Sequence, residues 1–569
     1  MIKLRFLFFL AAVLLVGCKA KKDLNTITSK GVALKTELTP LELKNWYLKD
    51  NIADGIPGIS LDKWYKQNKK KAKNTIVVAI IDTPIDTKHE DLKGKLWINS
   101  KEIPNNNIDD DQNGYVDDVN GWSFIGTKKG DYAVWNHYEY VRIVKEWGPV
   151  FKGKTESEIG IKELANYKEY LRASKRLEEK EKYYKNWRRS AVHSIEVFPL
   201  VKDTLKHFFP KEDYTFAQLD SLYKKYKIND KTYKQRRNSN DLDLGALIDY
   251  RMVNLEVNEI TLEDIVNKRM ELDSIVLRSL NADYNERLQI GDNPNMLEKG
   301  YGNNNIGSYK IGELPVQDHC TKMAGIIGAD RENTIGVKGI LQNVKIMPLN
   351  VSQSGEENDK DIVMAIRYAV DNGAKVINMS LGKEFSLHKD WMFDALKYAE
   401  EHNVLVVHSA GNFSLDVDLN QEYPSDVAFD GTPEVCHNFI NVGSTTYKLN
   451  EYFVSDFSDY GKENVDLFAP GAEVYTTTAG NRYEADSGTS MSAAVVSGTA
   501  ALIWSYYPNL TASEVKKIII DSGTAYNLEV IVPETKDKKI AFSELSKSGK
   551  VLNVYNAMIL AEKVSKNKK

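Results

Sequence analysis

Five short stretches of this chain, NTIVVAIIDT, VKIMPLNV, AKVINMSLG, NVLVVHSAGN and NFINVGST, are almost continuously apolar. A strand wetted on one side alternates apolar and polar residues, so an unbroken Val/Ile run calls for burial on both faces. Between the runs lie amphipathic stretches such as DKDIVMAIRYAVDN and KDWMFDALKYAEEH. Strands alternating with helices in this way imply a three-layer α/β fold with a mostly parallel central sheet. The pattern occupies roughly residues 70–95 and 315–525.

It is interrupted from about Lys128 to Glu298, where the chain becomes charged, Tyr-rich and helical in period, as in ELANYKEYLRASKRLEEKEKYYKNWRRS. Apolar residues recur there at three- and four-residue spacing with Glu and Lys between them, which predicts an α-helical insertion with a solvated surface. At the other end, Lys3 and Arg5 precede the apolar run Phe6–Val16, too short to span a bilayer and typical of an export signal. The sequence Leu15-Val16-Gly17-Cys18 resembles a bacterial lipobox, in which Cys18 is lipidated and becomes the first mature residue. Lys19 is unlike the aspartate linked with inner-membrane retention, so the resemblance favours the outer membrane, its face left open. The expected organisation is a signal peptide (1–17), a lipid-anchored tether (18–55), a first core segment (56–127), the helical insertion (128–298) and a second core segment with a C-terminal helix (299–569). A net charge of −4 argues against nucleic acid as the main partner, and three cysteines cannot make a disulfide framework.

In open parallel sheets, ligands gather at the carboxyl ends of the strands. Asp82 ends the first apolar run and Asn412 follows another; His319 opens the helix HCTKMAGIIGA, and Ser490 opens an apolar helix within SGTSMSAAVVSGTAAL. A serine, a histidine, an aspartate and a side-chain amide are the parts for acyl transfer: nucleophile, proton carrier, orienting carboxylate and oxyanion donor. Ser490 is expected both to cap its helix and to act as nucleophile, with its own N–H and the Asn412 amide facing the oxyanion.

These motifs, AIIDTPIDTKHEDL, DHCTKMAG, SAGN and GTSMSA in this order, resemble those of the subtilisin-like serine proteases, the subtilases. The resemblance implies an endopeptidase acting on proteins or peptides through an acyl-enzyme, with Asp82, His319, Ser490 and Asn412 in the named roles. The chain departs from the family pattern at Cys320, where a glycine is usual; at Lys322, which replaces a second histidine; and at Ala494, where a proline is usual. Cys320 is expected to be a small buried residue, with thiol sensitivity of the site as the other reading. The insertion falls in the 237-residue gap between Asp82 and His319, so it is expected near the cleft.

Carried over residue by residue, the resemblance also implies a substrate channel. Ser380, Leu381 and Gly382 would pair with an extended peptide, Ser409, Ala410 and Gly411 would form the opposite wall, and Glu422 in EYPSD would lie near the base of the primary pocket. A carboxylate there favours Lys or Arg beside the scissile bond; the other reading is an exposed loop glutamate. Two Ca2+ sites are expected. Asp91 and Asn333 side chains with carbonyls of Arg331, Ile335 and Val337 resemble the family's tight site. In DDDQNGYVDD, Asp109, Asp111 and Asn113 resemble the first half of an EF-hand loop, although Asn120 stands where the bidentate glutamate belongs. No organic cofactor is implied. An esterase or peptide-transferring acyl-enzyme would share the same chemistry, and a catalytically silent surface binding protein would share the fold; the sequence leaves these alternatives open.

Overall fold

In the central strand Ile76–Asp82, side chains leave alternately for two separate cores. Ile76, Val78 and Ile80 pack with the helices His319–Gly328 and Thr489–Tyr506, whereas Ala79 and Ile81 pack with Asp359–Asp371 and Lys389–Glu401. Val344 and Ile346 face the first core, and Met347 and Leu349 the second, so the next strand, Val344–Asn350, repeats the division. This two-sided burial is the cause of the unbroken apolar runs. The computed structural model describes residues 26–28, 35, 37–256, 261–309, 317–429 and 432–568. Cys18 and the apolar run before it lie outside the described residues.

The sheet has ten strands, in the order Trp122–Ser123, Val344–Asn350, Ile76–Asp82, Val376–Met379, Leu405–Ser409, Phe439–Thr445, Leu467–Pro470, Lys550–Val551, Thr524–Asn527 and Thr26–Thr28. All neighbours are parallel except Lys550–Val551 with Thr524–Asn527. Val344–Asn350 and Val376–Met379 flank the first long strand on opposite sides, so the winding direction reverses at Ile76–Asp82. That reversal opens a crevice at the carboxyl end, where Asp82 sits. The helix Thr489–Tyr506 is buried along all 18 residues, consistent with its apolar circumference. No helix among the described residues is long and apolar enough to cross a membrane.

Between the two core segments lie the helices Glu139–Phe151, Leu164–Lys206, Phe216–Tyr226, Tyr233–Ser239, Leu244–Glu256 and Leu262–Ser274, ending in a π-turn at Ile275–Ser279. The 43-residue helix Leu164–Lys206 extends about 65 Å at 1.5 Å per residue. Val197, Val201 and Leu205 at its far end form a separate core with Leu219, Ala246, Ile248 and Tyr250. Helicity stops at Ser279, short of the expected boundary at 298. The non-helical residues 280–298 are divided: Leu280 packs with Tyr140 and Val141 of the insertion, whereas Ile290 joins the sheet's second core and Arg287 forms buried ion pairs with Asp361 and Asp292.

The expected tether is also corrected. Within 18–55, Pro40–Asn45 is a capped helix, and Trp46, Tyr47 and Leu48 are at most 1% exposed. Trp46 Nε1 donates to the carbonyls of Ala472 (3.1 Å) and Glu473 (3.3 Å). Ile59 N donates to Tyr47 O, and Val554 N of the C-terminal helix donates to Ile59 O, both at 2.8 Å. Three consecutive apolar residues have no helix or strand period to betray them, so only long-range packing reveals this segment as core. Trp46→Ala should lower unfolding stability by about 3–5 kcal/mol, read as a fall in denaturant midpoint; an unchanged midpoint would restore the tether reading.

Candidate active site

Asp82 and His319 meet at the crevice. His319 Nδ1 lies 2.9 and 2.8 Å from the two oxygens of Asp82, a carboxylate only 3% exposed. Thr83 N donates to Asp82 Oδ1 at 2.6 Å, and Thr83 Oγ1 accepts from Cys320 N at 3.2 Å, tying the strand end to the start of the histidine's helix. Burial opposes protonation of His319, but the charge and hydrogen bond of Asp82, with Asp486 behind, outweigh it and raise the imidazole pKa. The pair therefore stabilises an imidazolium, as proton abstraction from a nucleophile requires.

Ser490 lies in the first turn of its helix, where backbone N–H groups have no intrahelical acceptor. It is not the cap: the N-cap is Gly488, and no side chain caps the helix. Ser490 Oγ instead donates to Ser380 O at 3.4 Å, while Ser380 Oγ donates to Ser490 O at 3.1 Å. Ser380 Oγ also touches Met323 Sδ, one turn along the histidine's helix, at 3.4 Å. Asn412 Oδ1 accepts from Thr489 N (2.8 Å) and Thr489 Oγ1 (3.0 Å). With its oxygen engaged, the Asn412 amide keeps its NH2 available for another acceptor. Thr489, overlooked in the motif GTS, engages that oxygen.

The two expected walls face each other as continuations of adjacent parallel strands, Val376–Met379 and Leu405–Ser409. Glu422 is not an exposed loop residue; it is 8% exposed. A two-way backbone bridge between Lys383 and Tyr423 (2.9 and 2.8 Å) sets it against Gly382, where any Cβ would collide with Glu422 Oε1. Cys320 is buried among Met323, Ala324 and other apolar residues, and burial holds its thiol far above the usual range, so the inert reading stands. Lys322 pairs with Glu484 (2.6 Å) and Asp486 (2.7 Å), and Ala494 is fully buried inside an unbroken helix.

Around the channel the structure brings in residues that sequence reasoning missed. The stretch after Lys128 adds a bridge from Trp135 to Ser354, with Asn136 N donating to Ser354 O at 2.9 Å and Glu356 N to His137 O at 3.2 Å. Lys383, directly after the Ser380–Gly382 wall, is buried between Asp359 (2.6 Å) and Glu139 of the first inserted helix (3.0 Å). Arg142 donates to the carbonyls of Glu356 (2.8 Å) and Glu357 (3.0 Å) and to Glu286. The root of the insertion thus grips the channel's flank, and Arg172 and Arg176 of the long helix pair with Glu384.

Of the expected cation ligands, Asp91 is fully buried and Asn333 Nδ2 (2.6 Å) and Val337 N (2.9 Å) donate to its oxygens. Burial raises its pKa. The Arg331 guanidinium turns away, onto Gly339 O and the Tyr65 ring, leaving the carboxylate without a cationic side chain. A buried carboxylate beside a loop of carbonyls fits a hard cation, but Asn333 Oδ1, like that of Asn113, already accepts from the backbone, here from Ile335 N at 3.1 Å. In the second loop the expected Asn113 is otherwise occupied: its Oδ1 accepts from Tyr115 N (2.8 Å) and its Nδ2 donates to Asp118 (2.9 Å). Glu102 takes its place, and oxygens of Glu102, Asp109 and Asp111 lie within 4.8 Å of one another. Glu102 is brought there by accepting from Asp111 N (3.1 Å) and Asp117 N (3.0 Å).

Comparison with known proteins follows the same lines. Among curated proteins, the chain is 32% identical over 249 residues to a thermophilic serine proteinase of Bacillus sp. (strain AK1), covering 43% of this chain and 53% of that one. It is 36% identical over 211 residues to subtilisin DY of Bacillus licheniformis, covering 37% of this chain and 71% of that one. It thus spans about half the length of the first of these relatives. A solved cold adapted subtilisin-like serine proteinase is 26% identical, with a TM-score of 0.32, over 42% of this chain and 74% of that chain. The Subtilase family profile matches residues 73–544, most of the sequence, and the chain therefore belongs to the subtilase family.

Proposed function

We propose that this chain is a serine endopeptidase that hydrolyses peptide bonds through an acyl-enzyme. The observation carrying this reading is the Asp82–His319 pair, 2.8 Å apart at a strand end, with the helix of His319 linked to the start of the Ser490 helix through Ser380 Oγ, which touches both Met323 Sδ and Ser490 O. In the proposed sequence a peptide lies along Ser380–Gly382 and frees Ser490 Oγ from Ser380 O. Oγ attacks the carbonyl carbon as its proton passes to His319 Nε2, while Asp82 holds the Nδ1–H. The carbonyl oxygen becomes an oxyanion facing the Asn412 NH2 and the Ser490 N–H. Collapse breaks the C–N bond, and His319 returns the proton to the leaving amine. Water, deprotonated by His319, then releases the acyl group as a carboxylic acid and restores Ser490. Ser490→Ala should abolish both peptide cleavage and fluorophosphonate labelling. Asn412→Ala should lower kcat by about 10²–10³ with little change in KM, the magnitude known for subtilisin's own oxyanion-hole asparagine. Cleavage by Ser490→Ala at the wild-type rate would overturn the reading.

Glu422 supports a preference for Lys or Arg on the acyl side of the scissile bond. Asp91, Asn333 and the carbonyls of Arg331, Ile335 and Val337 would hold a structural Ca2+, with Glu102, Asp109 and Asp111 as a second oxygen set. Such an ion would neutralise buried carboxylates and stitch the loop 331–337 to the segment bearing Asp91; it takes no part in the chemistry. Chelation should lower the melting temperature of the wild type more than that of Asp91→Asn, which keeps only the second set, and equal melting of the wild type with and without chelator would remove both ions.

The proposed setting is an exported lipoprotein of a bacterial outer membrane, anchored through Cys18, with protein or peptide substrates and no nucleic acid partner. Its support is the signal-like run and lipobox-like Leu15–Cys18. Cys18→Ser should move the protein from the membrane to the soluble fraction; continued membrane association with no incorporated fatty acid would count against the anchor.

A further inference from the structure

Two carboxylates beside the channel have an oxygen with no hydrogen-bond partner among the described residues: Glu422 Oε1 and Asp459 Oδ2. Both side chains are more than nine-tenths buried, at 8% and 0% exposure. Each ends against a glycine of one of the two walls. Glu422 reaches its wall through the Lys383–Tyr423 bridge and ends against Gly382. Asp459 reaches its wall because its N–H donates to Gly411 O at 3.0 Å, and its Oδ2 ends where a Cβ on Gly411 would stand. Gly411 has φ +115°, a backbone conformation open to glycine, so the space for that oxygen is part of the fold. The other oxygen, Asp459 Oδ1, accepts from Phe413 N (2.8 Å) and Leu415 N (2.7 Å), which orients the carboxylate rigidly.

Neighbouring acids differ in having partners. Glu384 pairs with Arg172 and Arg176, and Glu356 accepts from Glu139 N at 2.7 Å. We propose that Glu422 and Asp459 together form the floor of the primary specificity pocket and clamp the guanidinium or ammonium of an arginine or lysine side chain between them. Asp459 is thereby a specificity-determining residue, in a role that rests on the peptidase reading and on Glu422 at the pocket base. Two desolvated carboxylates are costly in an empty pocket and become favourable once a cation satisfies both, which makes the site selective against neutral side chains. Burial and then the charge of Asp459, followed by Glu356, Glu384 and Glu357, raise Glu422 well above the carboxylate range; burial pushes Asp459 up to about 6. A cationic side chain relieves both shifts.

The test uses the full chain and chromogenic peptides that differ only in ending with Arg, Lys, Leu or Phe. Wild type should prefer Arg and Lys over Leu at least tenfold in kcat/KM. D459N, which keeps an acceptor for Phe413 and Leu415, and E422Q should each cut that ratio at least tenfold, mainly through KM. Benzamidine should compete with the Leu peptide on the wild type, a measurement that needs no variant. If E422Q lowers the ratio and D459N does not, the clamp fails while the Glu422 reading survives. A wild type that prefers Leu or Phe, or ignores benzamidine, ends both. Absence of fluorophosphonate labelling at Ser490 ends the peptidase reading itself.

Discussion

A strand covered on both faces has nowhere to expose a polar side chain except at its ends, and the rest of this structure depends on that constraint. Ile76–Ile81 spend their side chains on two hydrophobic cores, so Asp82 is the first position at which a carboxylate meets polar partners. The same holds for the wall segments that follow Met379 and Ser409. Reversal of the winding direction at Ile76–Asp82 then leaves the crevice into which His319 and Ser490 are delivered by helices packed on one face. Chemistry concentrates here because the hydrophobic layers exclude it elsewhere.

The inserted helices are joined to that crevice by a buried charge cluster as well as by apolar packing of Phe385 against Tyr140, Val141 and Ala173. Lys383, Glu139 and Asp359 form a buried cluster whose remaining acceptors are filled by Ser386 Oγ, His388 N and Leu387 N. Such a cluster gives little net stability over apolar packing of equal volume, but loss of one member strands the others in low dielectric, at about 3–5 kcal/mol. Its effect is geometric: it sets the position of Lys383 next to Gly382, and Arg142 holds the carbonyls of Glu356 and Glu357. The position of the insertion is thus tied to the channel's flank.

Legibility in the sequence followed the range of the interactions involved. Asp82, His319, Asn412 and Ser490 stand inside short motifs whose local structure, strand end or helix start, already limits what they do. Trp46 and Tyr47 were read as tether because their partners, Ala472, Glu473 and Ile59, are set by packing and not by any period. Glu102 escaped notice for a similar reason: an acidic loop shows which residues could bind a cation, but backbone N–H groups of Asp111 and Asp117 decide which carboxylate turns inward. Ser490 looked like a cap because Gly-Thr-Ser before an apolar run usually is one; Gly488 holds the cap position instead and leaves the hydroxyl free for other partners.

By itself the sequence determined the three-layer architecture, through apolar runs that no half-exposed sheet tolerates, and the candidate catalytic side chains, through local motifs. Tertiary structure alone decided which acids end against the two wall glycines, how the insertion grips the channel and what the Asn412 amide oxygen accepts from. Those outcomes depend on contacts between residues tens to hundreds of positions apart. Their distances are set by the packing of whole layers, and a linear pattern does not encode that sum.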